Sequence, residues 1–520
     1  MCGISIRPKE FANTQSEISY RGPDSTVALE VSDYLFTFHR LAIIDPNARA
    51  NQPFSDDQLV VVCNGEIFNF KELRENNQDY VYKSFSDCEV LMPLLQKYSI
   101  YEVCHLLDGE FAFVAYDKLN NKVIAARDPM GIRPLFYGKC TNGKLAFASE
   151  MKALLDCCGQ IYPFPPGYFY DGDQFKPYLE LGKINQVVHT NFEEVTTNIH
   201  DLLVDAVAKR LHADVPLGFL LSGGLDSSLV CAIANKELQK PLETFAIGLD
   251  VNPIDLKYAK QMADFLGSKH HEVIFTNQDI IDNLKQVIWV IESWDVTTIR
   301  ASIPMYLLCK YVRNNTHIRV LLTGEVSDEL FGYKYTDFAP DANEFQKESQ
   351  KRITELYMYD VLRADRSISS NSLEARVPFA DKAFVKYVME VDPKLKLNTY
   401  GMGKYLLRKA FEGKGYLPDE ILWREKAAFS DAVGHGLVDT LADLASQKYT
   451  DQEFEQKAKT YKTNPPLTKE ALMYREIFEE LFPNQDHVIC GYWLPNSSWP
   501  NCNLIDPSAR FLPNYGQSGK

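Results

Sequence analysis

Two rhythms of apolar and polar positions divide this chain. In its first part the apolar residues fall in short alternating or continuous runs, at Tyr34 to Ile44, Leu59 to Cys63, Glu110 to Tyr116, Lys122 to Arg127 and Lys144 to Ala148. Turn-forming pairs stand between them at Asn64-Gly65, Asp108-Gly109, Asn120-Asn121 and Asn142-Gly143. Short runs cut by such pairs predict antiparallel strands joined by hairpins. Helical spacing covers Phe70 to Glu75, Asp87 to Lys97 and Glu150 to Leu155. From Tyr162 to Lys176 prolines, glycines and aromatics close this part, and the composition turns polar around Ile184 to Thr197. A linker there predicts two domains, residues 2–185 and 192–520.

From Phe192 onward helices and strands alternate. A helix over Val195 to Leu211 precedes an apolar strand, Pro216 to Leu221. Then come a helix (Ser228 to Gln239), a strand (Glu243 to Gly248), a helix (Leu256 to Leu266) and a strand (Glu272 to Phe275). Helices over Asp279 to Glu292 and Ile303 to Asn314 lead to the strand Arg319 to Thr323. Apolar strands separated by amphipathic helices predict a parallel, doubly wound α/β sheet. The remainder reads as extra helices, ending in a Pro/Asn/Trp-rich tail extended over the surface.

At 520 residues the chain exceeds one ordinary core, which agrees with two domains. No apolar run approaches a membrane span, and no basic-then-apolar leader opens the sequence. The net charge of −15 argues against a nucleic-acid binder, although a local pocket can still be basic and hold a small anion. The 11 cysteines are scattered, with no Cys-x-x-Cys pair, so structural zinc is not expected. Cys63, Cys88, Cys104, Cys231 and Cys309 read as small buried hydrophobes; for vicinal Cys157-Cys158 a plain loop is favoured over a redox-active pair. The pattern suits a reducing cytosol and predicts a cytoplasmic protein.

Two places carry chemistry. Removal of Met1 would leave a thiol and a free α-amine together on Cys2, a nucleophile with its own base. In the second part Ser222-Gly223-Gly224-Leu225-Asp226-Ser227-Ser228 lies between a predicted strand and a predicted helix. Its glycines allow a tight turn with N–H groups pointing into one concavity, and the helix start adds a positive dipole end, so a phosphate is the natural guest. Asp226 is placed to hold magnesium (Mg2+) against it. A second acidic turn, Thr323-Gly324-Glu325-Val326-Ser327-Asp328-Glu329, follows another strand, where ligands bind in open α/β sheets. There Asp328 and Glu329 can help hold magnesium and pyrophosphate, with Glu325 handling protons.

These residues resemble those of the glutamine-hydrolysing asparagine synthetases over nearly the full chain. The first part carries MCGI, YRGPDS, FHRLAIID, NQPF, VVCNGEIFN, SDCEV, LDGEFAF and RDPMGIRPLFY; the second carries SGGLDSS, DVTTIRASIPMYL, TGEVSDELFGY, ARVPFAD, KYLLRKAF, WREKAAFSDAVG and DPSAR. The resemblance implies an α+β N-terminal αββα sandwich of the Ntn amidotransferase kind, followed by an α/β pyrophosphate-loop ATPase. It implies ATP and Mg2+ as cofactors, glutamine and aspartate as further small-molecule partners, and a homodimer through the first domain. By the same resemblance Cys2 is the nucleophile, Arg40 pairs with the glutamine α-carboxylate, and Asn64 and Gly65 form the oxyanion hole. Glu66 and Asp87 recognise the glutamine amine and amide. Leu221, Ser222, Gly223, Gly224, Leu225, Asp226, Ser227, Ser228, Ile247, Thr323, Gly324 and Asp328 bind ATP and pyrophosphate, with Asp226 and Asp328 on the metal. Glu325 deprotonates ammonia, Lys426 neutralises phosphate charge, and Arg300 lies at the acceptor pocket. The apolar runs Ile299 to Leu308 and Val377 to Phe379 are candidates for the wall of an ammonia path.

The chain departs from the family at Val326, where glycine is usual. A β-branched residue does not take positive φ comfortably, so this loop is expected to be shaped differently or not to need that conformation.

Overall fold

The computed structural model describes residues 1–11, 17–184, 186–250, 254–425 and 436–515. The alternating runs of the first part become β1 (Gly3–Pro8), β2 (Ser25–Val31), β3 (Tyr34–Arg40), β4 (Phe54–Ser55), β5 (Leu59–Ile67), β6 (Gly109–Asp117), β7 (Lys122–Arg127), β8 (Phe136–Cys140), β9 (Leu145–Ala148), β10 (Cys158–Pro163), β11 (Tyr168–Tyr170) and β12 (Phe175–Pro177). They form two six-stranded sheets, ordered β10-β8-β9-β1-β3-β2 and β12-β11-β7-β6-β5-β4. Side-chain alternation along β5 explains the layering. Val60 and Val62 face the first sheet, packing with Ile4, Ile6, Phe36 and Phe38. Leu59, Val61 and Cys63 face a layer of short helices, α1 (Phe70–Glu75), α2 (Leu91–Lys97) and α3 (Ile100–Leu106). The outer face of the first sheet, with Phe136, Ala146 and Ala148, packs into one cluster with helices of the second part. The αββα arrangement is therefore completed from both parts of the chain.

Asn64-Gly65 does not form the expected turn. Both residues lie inside β5, opposite Ala112 and Phe111 of β6. A Cβ on Gly65 would stand 2.4 Å from the Glu110 carbonyl oxygen, and one on Gly109 would stand 2.4 Å from that of Glu66. Close approach of two strands, not a change of direction, requires these glycines, and Gly109 likewise opens β6 instead of making a turn.

The second part contains α4 (Phe192–Lys209), β13 (Leu217–Leu220), α5 (Leu225–Leu238), β14 (Glu243–Leu249), α6 (Ile254–Leu266), β15 (Lys269–Phe275), α7 (Asn277–Ile291), α8 (Val296–Asn315), β16 (Val320–Leu322), α9 (Ser327–Phe331), α10 (Ala342–Glu355), α11 (Asp360–Ser369) and β17 (Glu374–Arg376). Its sheet has the order β15-β14-β13-β16-β17 with every pairing parallel. β17 lies outside the predicted strands, because Glu-Ala-Arg carries no apolar pattern. Helix α5 starts three residues earlier than expected, which takes Leu225, Asp226 and Ser227 into its first turn. The C-terminal tail does not run over the surface: Trp499, Cys502, Ala509 and Leu512 bury themselves against Tyr335. Among the described residues no helix is long and apolar enough to cross a membrane.

A seam of buried charge joins the two parts. Arg21 pairs with Glu150 at 2.6 Å and with Asp365 of α11 at 3.0 Å. Arg366 of α11 pairs with Glu150 and Glu292, both at 2.8 Å, and Lys152 reaches Glu292 at 3.1 Å. Arg210 joins Glu110 of β6 at 2.8 Å, and Arg376 of β17 joins Glu66 of β5 at 3.2 Å. Burial alone would raise the Glu150 carboxyl, but Arg366, Lys152 and Arg21 hold it well below the ordinary range.

Removing one partner of such a group leaves charge buried and uncompensated, at a cost of about 3–5 kcal/mol. Arg366→Met should therefore lower the thermal midpoint markedly, whereas loss of the exposed Lys144–Asp33 pair should not. A depressed carboxyl contributes stability above its unfolded pKa, about 4.3, and loses it as pH falls through the folded value. Thermal scans against pH should show Arg366→Met with a shallower acid decline than the wild type; an equal decline would contradict this linkage.

Candidate active sites

The first site forms where β1, β3 and β5 meet the start of the chain. The Cys2 thiol accepts from the Leu41 N–H at 3.4 Å and faces the Leu41 carbonyl at 3.7 Å. Arg21 holds the Cys2 carbonyl at 2.9 Å. With Met1 in place the terminal amine lies 3.3 Å from the Leu373 carbonyl and 4.0 Å from Glu374. Burial lowers this amine to about 6 and pushes the Cys2 thiol up to about 11. The Arg40 guanidinium donates to the carbonyls of Asn47, Ile44 and Asp45 and to the Asn51 side chain, at 2.5–3.2 Å. None of these acceptors is a carboxylate, so its positive charge stays available to an anionic ligand.

Asn64 is wholly buried, and neither its Nδ2 nor its Oδ1 has a partner among the described residues. Buried amides are nearly always satisfied, so this one is a candidate donor to a ligand. Glu66 is turned toward Arg376, and burial raises its carboxyl well above the usual value. Asp87 does not cap a helix through its side chain. Its carboxylate accepts the Ile67 N–H at 2.7 Å, and burial raises its pKa.

The second site lies at the carboxyl ends of β13, β14 and β16, around a cavity of about 250 Å³. β13 and β16 are direct neighbours, with Phe219 opposite Leu322, so the two loops that leave them lie side by side. Gly324 is glycine because a Cβ there would stand 2.8 Å from Ser227 N. Gly223, at φ +70°, is crowded by α6: a Cβ would stand 2.4 Å from the Tyr258 carbonyl carbon. Leu221, Ser222, Gly224, Leu225, Asp226, Ser227, Ile247, Thr323, Gly324, Glu325, Asp328 and Glu329 line the cavity. Gly223 and Ser228 stand behind this lining. Thr323 Oγ1 and Ser228 Oγ are buried without a protein partner among the described residues.

Lys404 lies between the two acidic groups. Its Nζ is 2.8 Å from both carboxylate oxygens of Asp226 and 2.5 Å from Asp328, while Ser327 donates to Asp226 at 2.7 Å. Two carboxylates converging on one cation beside an open cavity form a hard oxygen donor set of the kind Mg2+ takes, with phosphate and water completing its shell. The residues present fit that ion. Glu325 is bound by Arg363 at 2.7 Å, and burial raises its carboxyl in spite of that cation.

Two expectations change. Val326 does adopt positive φ, at +81°, so the loop keeps the glycine-like conformation without glycine. Arg300 is not free to meet an acceptor: its guanidinium is shared by Glu470 at 2.6–2.9 Å and Asp506 at 2.8–2.9 Å. Asp506 stands next to Pro507, which with Ala509 is part of the lining. Lys426 lies outside the described residues. Lys404, Arg408 and Arg424 also line the cavity; the sequence assigns them no role, although they stand in KYLLRKAF and WREKAAFSDAVG.

Residues 1–197 match the glutamine amidotransferase domain family, and residues 198–344 and 337–509 match the asparagine synthase family. The chain is 42% identical over 549 residues to asparagine synthetase (glutamine-hydrolyzing) 3 of Arabidopsis thaliana, covering 100% of this chain and 94% of that protein. It is 40% identical over 522 residues to asparagine synthetase (glutamine-hydrolyzing) 2 of Oryza sativa subsp. japonica, covering 97% and 88%. The asparagine synthetase (glutamine-hydrolyzing) of Asparagus officinalis gives the same 40% identity, 97% and 88%.

An unsatisfied buried amide costs about 1–3 kcal/mol. The nearly isosteric Asn64→Leu should therefore hold or raise the thermal midpoint while abolishing glutamine hydrolysis. Calorimetry and a glutamate assay on the same preparation check this; a clear fall in midpoint would mean that Asn64 is structurally satisfied.

Proposed function

The chain belongs to the glutamine-hydrolysing asparagine synthetases, and from that premise we propose that it makes L-asparagine from L-aspartate and L-glutamine, with ATP cleaved to AMP and pyrophosphate. In the first site the Cys2 thiol, freed of Met1, attacks the glutamine side-chain amide. The Asn64 amide and the Gly65 N–H donate to the oxyanion, the kind of fixed donor that contributes most in acyl transfer. Arg40 binds the α-carboxylate, and Glu66 and Asp87 read the polar ends of the substrate. Ammonia leaves, and water releases glutamate from the thioester.

In the second site the aspartate side-chain carboxylate attacks the α-phosphorus of ATP, giving β-aspartyl-AMP and pyrophosphate. The Ser222–Ser228 turn and Thr323 receive the phosphates, and Lys404 and Arg424 neutralise charge beside them. Asp226 and Asp328 would hold magnesium, which when bound offsets the charge on the leaving pyrophosphate. Ammonia then attacks the acyl carbon, Glu325 takes its proton, and AMP departs. Ammonium is unreactive, so passage of neutral ammonia between the sites suits the chemistry; Ala301, Met305 and Leu308, apolar residues on the cavity wall, are candidates for its end.

The observation that carries this reading is the convergence of Asp226 and Asp328 on the Lys404 ammonium beside the cavity. It supports a site built for metal-bound pyrophosphate. A second acceptor acid is the alternative, and product analysis separates the two: asparagine, AMP and pyrophosphate together support the proposal, whereas glutamate alone overturns it. Cys2→Ala should lose glutamine-dependent synthesis and keep ammonia-dependent synthesis. Asp226→Ala should lose both and keep glutamine hydrolysis, and Lys404→Met should lower ammonia-dependent synthesis about 100-fold or more. Equal loss of every activity in a folded Cys2→Ala protein would sink the two-site mechanism.

A further inference from the structure

Three thiols converge outside both sites. Cys140 ends β8 and Cys158 opens β10, directly opposite it in the antiparallel register. The chain neighbour Cys157 turns its sulfur to the same point. The Cys140 and Cys158 sulfurs are 3.6 Å apart, those of Cys157 and Cys158 are 3.7 Å apart, and all three lie within 4.8 Å of one another. The space is made for them: a Cβ on Gly138 would stand 2.8 Å from the Cys158 sulfur. All three are buried, yet Asp156, next in the chain to Cys157, is half-exposed, so the trio lies one residue beneath the surface.

We propose that Cys140, Cys157 and Cys158 form a tripod for one thiophilic closed-shell cation, zinc(II) or copper(I). The spacing favours a shared ion over a disulfide. Sulfurs bound at about 2.3 Å around a tetrahedral zinc lie about 3.8 Å from one another, close to the separations found, whereas a disulfide needs about 2.05 Å and leaves the third sulfur over. The buried Arg7 guanidinium lies 3.3 Å from the Cys157 sulfur but is already paired with Asp156, so the local charge does not choose between zinc and copper(I). No fourth His, Cys, Asp or Glu joins the trio among the described residues, so water takes the remaining position. Each ligating thiol gives its proton to solvent.

The ion would pin β10, an edge strand, to β8. β10 meets the second part of the chain directly: the Ile161 N–H donates to Gln485 at 3.0 Å, and His487 faces the Ile161 carbonyl at 2.9 Å.

The test uses the full-length protein, reduced and stripped of metal, titrated with zinc against a chromophoric chelator and with copper(I) against bicinchoninate. Cobalt(II) reports thiolate ligation by its charge-transfer band. We expect one equivalent bound, a cobalt–thiolate band, and a raised thermal midpoint on loading. Cys157→Ser and Cys158→Ser should each weaken binding at least about 100-fold, and Cys490→Ser, at an exposed cysteine, should leave it intact. Cys157 precedes β10 and so tests the site without a change inside the strand. Stoichiometric binding of either ion, lost in both cysteine variants, supports the tripod. Equal binding by the wild type and both variants, no binding at all, or a Cys140–Cys158 disulfide in the metal-free protein would overturn the proposal.

Discussion

The buried ionic seam between the two parts is the constraint on which the rest of this structure depends. Taking a carboxylate or guanidinium out of water is so unfavourable that each must meet its partners in nearly one geometry. Arg376 is the clearest case. Its side chain is fully buried; it pairs with Glu374 at 2.9 Å and Glu66 at 3.2 Å, and donates to the carbonyls of Arg210 and His212 at 2.8 and 2.6 Å. Its own carbonyl accepts the Thr323 N–H at 3.0 Å. One residue thus touches Glu66 in the first site and the loop of the second. Neither site can shift far without breaking a bond that cannot be replaced by water.

A second constraint is local and lies at Val326. Positive φ in a β-branched residue costs on the order of 1–3 kcal/mol. Burying its side chain, 2% exposed, is worth about 1.5–3 kcal/mol, so the two terms nearly offset each other. The conformation is over-determined from both sides: Ser327, the next residue, binds Asp226, and the Leu330 N–H reaches back to the Val326 carbonyl at 3.4 Å. A glycine would remove both the strain and the anchor. This explains how the loop keeps its shape with a residue that backbone preference alone would reject.

Much of the fold was legible because local rhythm and tertiary structure agree. The period-two runs became paired strands, and the apolar strands of the second part became a parallel sheet. The failures share one cause, distance along the chain. Asn64-Gly65 looks like a turn to any local reading, and only the Glu110 carbonyl, far away in sequence, shows why glycine is needed. β17 is invisible because its three residues are chosen for the seam rather than for an apolar face. Lys404 carries no local signal, since its role is set by two carboxylates from separate loops. Cys140 meets Cys158 through strand pairing, a juxtaposition that the spacing of cysteines along the chain does not show. In the first site the residue types were readable from the resemblance, and their partners were not.

Polar atoms left unpaired are informative where they fall at a site. Most buried polar groups here are satisfied, many of them several times over, as Arg40 and Arg376 are. The Asn64 amide and the Thr323 hydroxyl are among the buried polar atoms without a protein partner among the described residues, and these two lie at the two candidate sites. Both stand next to groups that the same fold holds firmly: Glu66 on β5, and Asp226 through Lys404 and Ser327. A fold that satisfied these donors internally would gain stability and leave neither free at its site. The rigid seam makes the unpaired donors tolerable, because a donor held still by its surroundings cannot collapse onto a protein acceptor.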